Sequence, residues 1–452
     1  MFKEREGYFL RLYINKINTI LTMTCFLVLS LSLTACGNDT GKEAAKQNVL
    51  VLASFDDTPY IREQVARYNQ GQHEYQIEMK SYERSEQPDE DGILLLQREI
   101  ALGKGPDIID FGSGFTTSDI VGGYTEDLFS YMGEEENKYF ENVLNAFSYE
   151  EKLYAIPLSF TLKSFVGTAQ NLEGHSSWSI EEMMDCYQGQ AKERLLYPGA
   201  FKKDVLGTIL AGSMEYYINW ETGECNFDGK EFSDVLRFCN QFSERLEITE
   251  DFSTKQIFLE DGALLLPVNI RSVYDMCKVE YIFNEQEITF IGFPVEGTSG
   301  TMIQSCGSTL AISRNSSHKE AAWSFISQCL SVPGQEELAS GFPMCREVLE
   351  KQIDQALEIE YEMQADGTQQ PVVKQEVIFE GEEKIDIYCI SAEQAKRLIS
   401  LIEGAEIASH MEPKIYNVFL EEAEYYFNGE KSLEETVDVI QSKISIYVSE
   451  KI

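Results

Sequence analysis

The chain has 452 residues, of which 76 are acidic and 37 basic, so its formal net charge is −39 at pH 7. Such a charge disfavours nucleic acids and other polyanions as partners, because affinity for phosphate comes largely from lysine and arginine. The length favours two domains or one large bilobed unit, and the ten cysteines and four histidines lack the spacing of a zinc site.

The N-terminus has the features of an export signal. Four basic residues precede an apolar stretch, residues 20–33, which is shorter than the ~20 residues that cross a bilayer. The stretch ends in Leu-Thr-Ala-Cys36, which resembles the bacterial lipobox, where the cysteine is lipidated and begins the mature chain. We expect a lipoprotein signal peptide at 1–35, lipidation at Cys36 and a tether at 36–46. A plain signal peptide or a membrane anchor is the alternative.

The next segments alternate between strand and helix patterns. The predicted order is a strand at 48–55, a helix from Tyr60, a strand at 74–83, a helix at 92–105 and a strand at 106–111. This alternation indicates a parallel sheet wound with helices.

Later helices and turns also have recognisable signals. A serine three residues before a glutamate predicts a capping box at the start of three helices: Ser179 with Glu182, Ser317 with Glu320, and Ser432 with Glu435. Residues 364–390 predict a loop followed by a β-hairpin that turns at Gly381.

Five segments, in order, resemble bacterial extracellular solute-binding proteins of the sugar-binding type, the relatives of maltose-binding protein. They are "ALGKGPDIIDF" (101–111), "YEEKLYAIPLSF" (149–160), "HSSWSIEEM" (175–183), 292–350 and 419–450. Glu151 replaces the glycine that is usual in the second segment. The resemblance spans nearly the whole chain beyond the signal.

The resemblance implies an α/β, two-lobed periplasmic-binding-protein-like fold of type II, in which each lobe is a wound sheet with flanking helices. The expected lobes are 47–160 plus 302–344 and 164–300 plus 347–452. They would be joined by hinge crossovers near Ser159–Leu162, Ile303–Ser308 and Phe342–Cys345.

The resemblance also implies a function. We expect a monomeric, lipid-anchored protein on the extracytoplasmic face of the membrane that captures a small solute, a mono- or oligosaccharide, and delivers it to the permease subunits of an ABC importer. No enzyme activity, cofactor or metal is expected. A surface sensory or adhesion lipoprotein and an anchored hydrolase are alternatives, but the chain contains no G-x-S-x-G or H-E-x-x-H motif.

Strand ends that border the cleft supply the candidate ligand contacts, because ligands bind beyond the carboxyl ends of strands. The candidates before and within the first crossover are Ser54, Phe55, Asp56, Asp110, Phe111, Ser113, Phe160 and Thr161. The resemblance adds Asn269, Arg271, Tyr274 and Tyr416.

These residue types suit a sugar, since carboxylates and amides pair with hydroxyls and aromatic faces cover the ring. Other interpretations remain open at this stage: Asp56 would cap the first helix, and Phe55 or Phe111 would belong to the core. We interpret Trp178, Trp220 and Trp323 as packing residues.

The ligand expected from this set is an uncharged sugar, because Arg271 is the only cation among the candidates. A polyamine is the alternative, since Asp56 and Asp110 would together bind an ammonium group.

Overall fold

The structure, a computed structural model, describes most of the chain beyond its first 47 residues. The described residues are 48–71, 73–82, 92–116, 119, 122–191, 194–245, 254–260, 262–284, 286–378, 384–409 and 412–451. The predicted signal, Cys36 and the tether lie outside them, as does Gly381. Within the described ranges, no helix combines the length and apolar character needed to cross a membrane.

Seventeen strands are present in the described part of the chain. They are β1 (Asn48–Ser54), β2 (Tyr75–Ser81), β3 (Ile108–Asp110), β4 (Ser148–Tyr149), β5 (Lys152–Leu153), β6 (Ile156–Pro157), β7 (Ser159–Thr168), β8 (Leu266–Ile270), β9 (Ile288–Phe290), β10 (Met302–Ser305), β11 (Thr309–Ile312), β12 (Phe342–Pro343), β13 (Tyr361–Met363), β14 (Gln369–Pro371), β15 (Gln375–Val377), β16 (Ile385–Ile387) and β17 (Ile407–Ala408).

Fifteen α-helices accompany these strands in the same ranges, with one 3-10 helix at Gly133–Lys138. They are α1 (Pro59–Gln70), α2 (Gly92–Ala101), α3 (Phe129–Met132), α4 (Glu141–Ala146), α5 (Ile180–Gln188), α6 (Lys202–Tyr217), α7 (Lys230–Cys239), α8 (Thr254–Leu259), α9 (Asp275–Phe283), α10 (Lys319–Leu330), α11 (Val332–Gln335), α12 (Arg346–Leu357), α13 (Ala392–Glu403), α14 (Pro413–Phe427) and α15 (Leu433–Ser449).

The first sheet has the order β2-β1-β3-β11-β6. Strands β1, β2 and β3 run parallel, which confirms the winding predicted from their alternation with helices. Strand β11 runs antiparallel to β3, and β6 antiparallel to β11. The carboxyl ends of β1 and β3 therefore lie at the same edge as the start of β11.

The second sheet is built on β7, the ten-residue strand that follows the first crossover. It pairs antiparallel with β8, β9, β10 and β12, and β17 joins β10. Strands β10 and β12 lie within 302–344, which the sequence assigns to the first lobe, yet they pair in this second sheet. The lobe boundaries themselves stay a prediction.

Two hydrophobic cores support the sheets. One surrounds the first sheet and continues along a face of the second sheet that includes Leu162, Ile270 and Ile303. The other contains Phe165 of β7 and side chains of α6, α7, α14 and α15. Trp178 and Trp220 are buried in this second core and Trp323 packs against the first, which supports their interpretation as packing residues.

The crossover segments are linked to one another by hydrogen bonds. The Ser159 hydroxyl donates to the Cys306 carbonyl at 2.5 Å, and the Cys306 N–H donates to the Ser159 carbonyl at 2.9 Å. Gln335 is fully buried; its Nε2 donates to the Leu158 carbonyl at 3.0 Å and its Oε1 accepts from the Met344 N–H at 2.7 Å. Three separate passages of the chain thus share one hydrogen-bonded network.

Helix starts and turns largely follow their sequence signals. Ser179 and Ser432 form the predicted capping boxes. The box predicted at Ser317 is wrong, because α10 begins after His318, which is one residue too late for Ser317 to be its N-cap. Strands β15 and β16 pair as the predicted hairpin. Strand β14, in the predicted loop, forms a second hairpin with β13, which directly precedes the loop.

Candidate functional site

Polar groups from three strands lie at the carboxyl edge of the first sheet. We call this group the first-sheet edge; its residues are Asp56, Asp110, Ser113, Ser308 and Thr309. The Phe55 N–H donates to the Asp110 carbonyl at 3.0 Å, and the Ser113 N–H donates to Asp56 Oδ2 at 3.2 Å. The residues that follow β1 and β3 are therefore held together, as their parallel pairing requires.

Asp110 is fully buried at this edge. Its Oδ2 accepts from the Ser308 hydroxyl at 2.8 Å, and its Oδ1 accepts from the N–H groups of Gly112 at 3.0 Å and Thr309 at 3.2 Å. Burial raises the pKa of Asp110 to about 7, although these three hydrogen bonds oppose the rise. Asp110 therefore links the strand ends by hydrogen bonds and is not accessible to a solute in this conformation.

Asp56, in contrast, is exposed. It does not cap α1, because Thr58 accepts the hydrogen bond from Ile61 N–H and is the N-cap. Its carboxylate lies against Gly112, where φ is +65° and an added Cβ would come within 1.9 Å of Asp56 Oδ2. The positive φ favours glycine, and the missing side chain leaves room for the Asp56 carboxylate.

Several other predicted contacts are not accessible in this conformation. Phe111 and Phe160 are fully buried, and Ser54, Phe55 and Thr161 nearly so. Phe111 stacks on Phe55 with ring centroids 6.1 Å apart, while Phe160 packs against Phe140 and Phe342. Burial keeps these side chains and that of Asp110 away from solvent in this conformation. Their direct contact with the ligand stays a prediction.

The second sheet contributes a polar group beside the crossovers; we call it the polar face and define it by Thr161, Lys163, Asn269, Arg271 and Gln304. Lys163 pairs in register with Asn269 on β8, and Thr161 with Gln304 on β10. Side chains of paired residues point to the same side of a sheet. The alternate positions, Phe160 and Leu162, point to the sealed apolar side.

The second crossover joins the two groups. Gln304 belongs to the polar face and Ser308 to the first-sheet edge, and the Ser305 hydroxyl hydrogen-bonds that of Thr309 at 2.6 Å. Four residues of extended chain span at most about 14 Å, so the backbones of Gln304 and Ser308 lie within that distance of each other. Sequence reasoning missed Lys163, Gln304 and Ser308. A lysine inside the otherwise uncharged run "SFTLKSFVGT" was the available signal.

Two predicted residues lie elsewhere. Tyr274 packs against the first core, and its pKa is raised mainly by burial, with Lys374 and Glu360 among the charges near it. Tyr416 lies against α6, where its hydroxyl would be 2.2 Å from a Cβ added at Gly207. Nothing in their contacts joins either tyrosine to the two polar groups.

A groove of about 700 Å³ lies apart from these groups. Its lining includes His73, Tyr75, Tyr131 and His318, and none of the predicted site residues. Tyr75 begins β2, and Ser316, also in the lining, follows β11. Because β11 runs antiparallel to β3, the groove lies at the amino edge of the first sheet, opposite Asp56. Among the described residues, no group of three or more His, Cys, Asp or Glu side chains is placed to hold a metal ion.

Comparisons with known proteins agree with this architecture. Residues 63–352 match the family model described as bacterial extracellular solute-binding protein. An extracellular solute-binding protein family 1 from Alicyclobacillus acidocaldarius has 11% identity and a TM-score of 0.52, covering 88% of this chain and 98% of its own. The sugar-binding protein MalE from Xanthomonas citri has 13% identity and a TM-score of 0.51, with 89% and 98% covered.

A third structure, the ABC substrate-binding protein Lmo0181 from Listeria monocytogenes in complex with cycloalternan, has 12% identity and a TM-score of 0.50, with 89% and 99% covered. No curated protein matches the sequence. Identities this low speak for the fold alone. They confirm the predicted two-lobed α/β fold.

Proposed function

This chain belongs to the bacterial extracellular solute-binding protein family, and from that premise we propose that it captures a mono- or oligosaccharide between its lobes and delivers it to an ABC importer. The family acts outside the cytoplasm in solute transport and its members are not enzymes, as the sequence predicts. The observation that carries the sugar proposal is the pair of polar groups joined by the second crossover.

The chemistry of these groups suits hydroxyl-rich solutes. The exposed carboxylate of Asp56 accepts hydrogen bonds, and the amides of Asn269 and Gln304 both donate and accept them. The polyamine alternative loses its basis, because Asp110 is buried and bonded and cannot share an ammonium group with Asp56. Further support comes from two proteins of similar fold: MalE is a sugar-binding protein, and Lmo0181 binds cycloalternan.

A thermal-shift and calorimetric panel tests the sugar proposal. We expect a matching sugar to raise the melting temperature, because a ligand at 100 times its Kd stabilises the native state by about 2.7 kcal/mol. Spermidine, the polyamine control, should leave it unchanged. Tight binding of spermidine with no response to any sugar would contradict the proposal.

We further propose that Cys36 carries a lipid that holds the protein on the outer face of the membrane. The proposal rests on the Leu-Thr-Ala-Cys sequence behind the basic and apolar segments. Cys36→Ala should release the protein from the membrane fraction or leave it unprocessed, whereas Cys25→Ala, in the apolar segment, should not. A Cys36→Ala protein that is cleaved at the same point and stays membrane-bound would refute lipidation.

A further inference from the structure

Two cations stand together on the polar face. Lys163 lies on β7 and is partly buried, and Arg271 directly follows β8 and is exposed. The chain has 76 acidic side chains, yet within the described residues no carboxylate forms an ion pair with either cation. The sequence suggested Arg271 as the only cation at the site, so Lys163 adds a second positive charge to the polar face.

The register of the sheet brings the two charges together. Lys163 faces Asn269 across β7 and β8, and Asn269 precedes Arg271 by two residues. With its amide turned so that the oxygen faces Arg271, Asn269 accepts from Arg271 Nε at 3.2 Å and from Nη2 at 3.1 Å. Asn269 thereby positions the guanidinium beside the lysine.

The electrostatics of the pair favour an anion. Burial lowers the pKa of Lys163, and the charge of Arg271 lowers it further. No carboxylate contributes to this shift. The Asp275 carboxylate accepts hydrogen bonds from the backbone N–H groups of Arg271 and Ser272, at 2.7 and 2.9 Å. The ammonium and the guanidinium repel each other, so an anionic group placed between them gains two charge-assisted hydrogen-bond partners.

We propose that Lys163 and Arg271 bind the carboxylate of an acidic sugar, either a hexuronate or an oligosaccharide with a single uronate unit, whose hydroxyls face Asp56 and Ser113 across the crossover. This inference rests on the proposed sugar-binding function and names its substrate class. One carboxylate matches one guanidinium in a bidentate manner. A phosphate dianion fits less well, because Asp56 and the net charge of −39 oppose a second negative charge.

Calorimetry on the full chain tests this assignment. The probes are galacturonate and glucuronate, each matched with its neutral sugar, galactose or glucose, and with disaccharides that carry one uronate unit or none. The variants are Lys163→Met and Arg271→Gln. The control is Lys396→Met, which removes an exposed lysine on α13 away from the polar face.

We expect a uronate to bind more tightly than its neutral counterpart and to weaken as salt rises. Each site variant should lose roughly 10- to 100-fold in uronate affinity, the usual range for a charged hydrogen bond. Its affinity for neutral sugar should fall by less, so that the preference for uronate over neutral sugar is lost. Lys396→Met should match the wild type. An unchanged melting temperature of Arg271→Gln shows that its loss is not a folding defect.

Three other results would overturn the inference. They also distinguish a failure of the inference from a failure of the proposed function. If neutral sugars bind and uronates bind no more tightly, or if both site variants keep full uronate affinity, the acidic assignment is wrong and sugar binding stands. If no sugar of either kind binds, the proposed function is wrong as well.

Discussion

Asp56 and Asp110 follow neighbouring parallel strands but have opposite environments. Their pairing at one edge follows from sequence, because the carboxyl ends of parallel strands meet. The difference in burial does not follow from the sequence, because Asp110 is enclosed by Ser308 and by Thr309, which lies 199 residues further along the chain. A local pattern therefore predicts where an aspartate lies in the sheet, while distant segments decide whether it is accessible.

The buried Asp110 predicts a pH dependence. Its pKa is about 7 in the folded protein against an ordinary 3.8, so folding favours the protonated form. Its contribution to stability is full below about pH 4 and is lost as the pH rises through about 7. Asp110→Asn removes this titration and keeps the hydrogen-bonding groups. We expect its stability relative to wild type to improve by about 1–4 kcal/mol between pH 4 and pH 8.

Urea unfolding at both pH values measures the effect. Asp56→Asn is the matched control. It removes an exposed carboxyl from the same edge, but the pH dependence of stability that Asp110 causes remains. Parallel pH curves for wild type and Asp110→Asn would contradict the prediction.

Among helices and strands, the sequence patterns that predicted the structure correctly are local ones. Ser432 and Glu435 are three residues apart, and that spacing alone closes a capping box. Ser317 has the same spacing but fails, because Ser316 accepts from the His318 N–H and donates to Asp107, which moves the helix start to Lys319. Lys163 was missed for a similar reason: its neighbour Arg271 comes from another strand, and only the register joins them.

Helix α11 gives a prediction at this scale. Gln335 bonds the Leu158 carbonyl and the Met344 N–H, both in buried surroundings. Gln335→Leu keeps the volume but leaves these backbone groups without partners, at a cost of about 1–3 kcal/mol each. We expect the free energy of unfolding to fall by roughly 3 kcal/mol or more in denaturant titration.

The control for this change is Gln370→Leu on the exposed strand β14, which should alter stability by less than about 0.5 kcal/mol. If Gln335→Leu is equally mild, the buried glutamine does not stabilise the crossovers.

For the whole molecule, two lobes were predicted from the resemblance of five ordered segments to a known family. Alternation of strands and helices predicts only the winding of the first sheet, because the second sheet is built of strands antiparallel to β7. Which conformation is most populated was not predictable. Open and closed forms of such folds differ by only a few kcal/mol, and a ligand shifts their balance. The sequence therefore specifies the architecture more firmly than the opening of the cleft.

Closure on binding is the prediction at this scale. Small-angle scattering should show a smaller radius of gyration when a sugar that binds by calorimetry is added, since the lobes rotate together around it. The same sugar added to a variant that has lost affinity should leave the radius unchanged. An unchanged radius with the wild type saturated would argue against a closing cleft.

The network through Ser159, Cys306 and Gln335 has a consequence for how such a motion proceeds. Because three chain passages are tied by mutual hydrogen bonds, no passage is able to bend alone without breaking them. Opening and closing are then concerted, with few populated intermediate conformations. Two fluorophores, one on α2 and one on α15, should accordingly report two discrete distances in single-molecule transfer measurements and not a continuous spread.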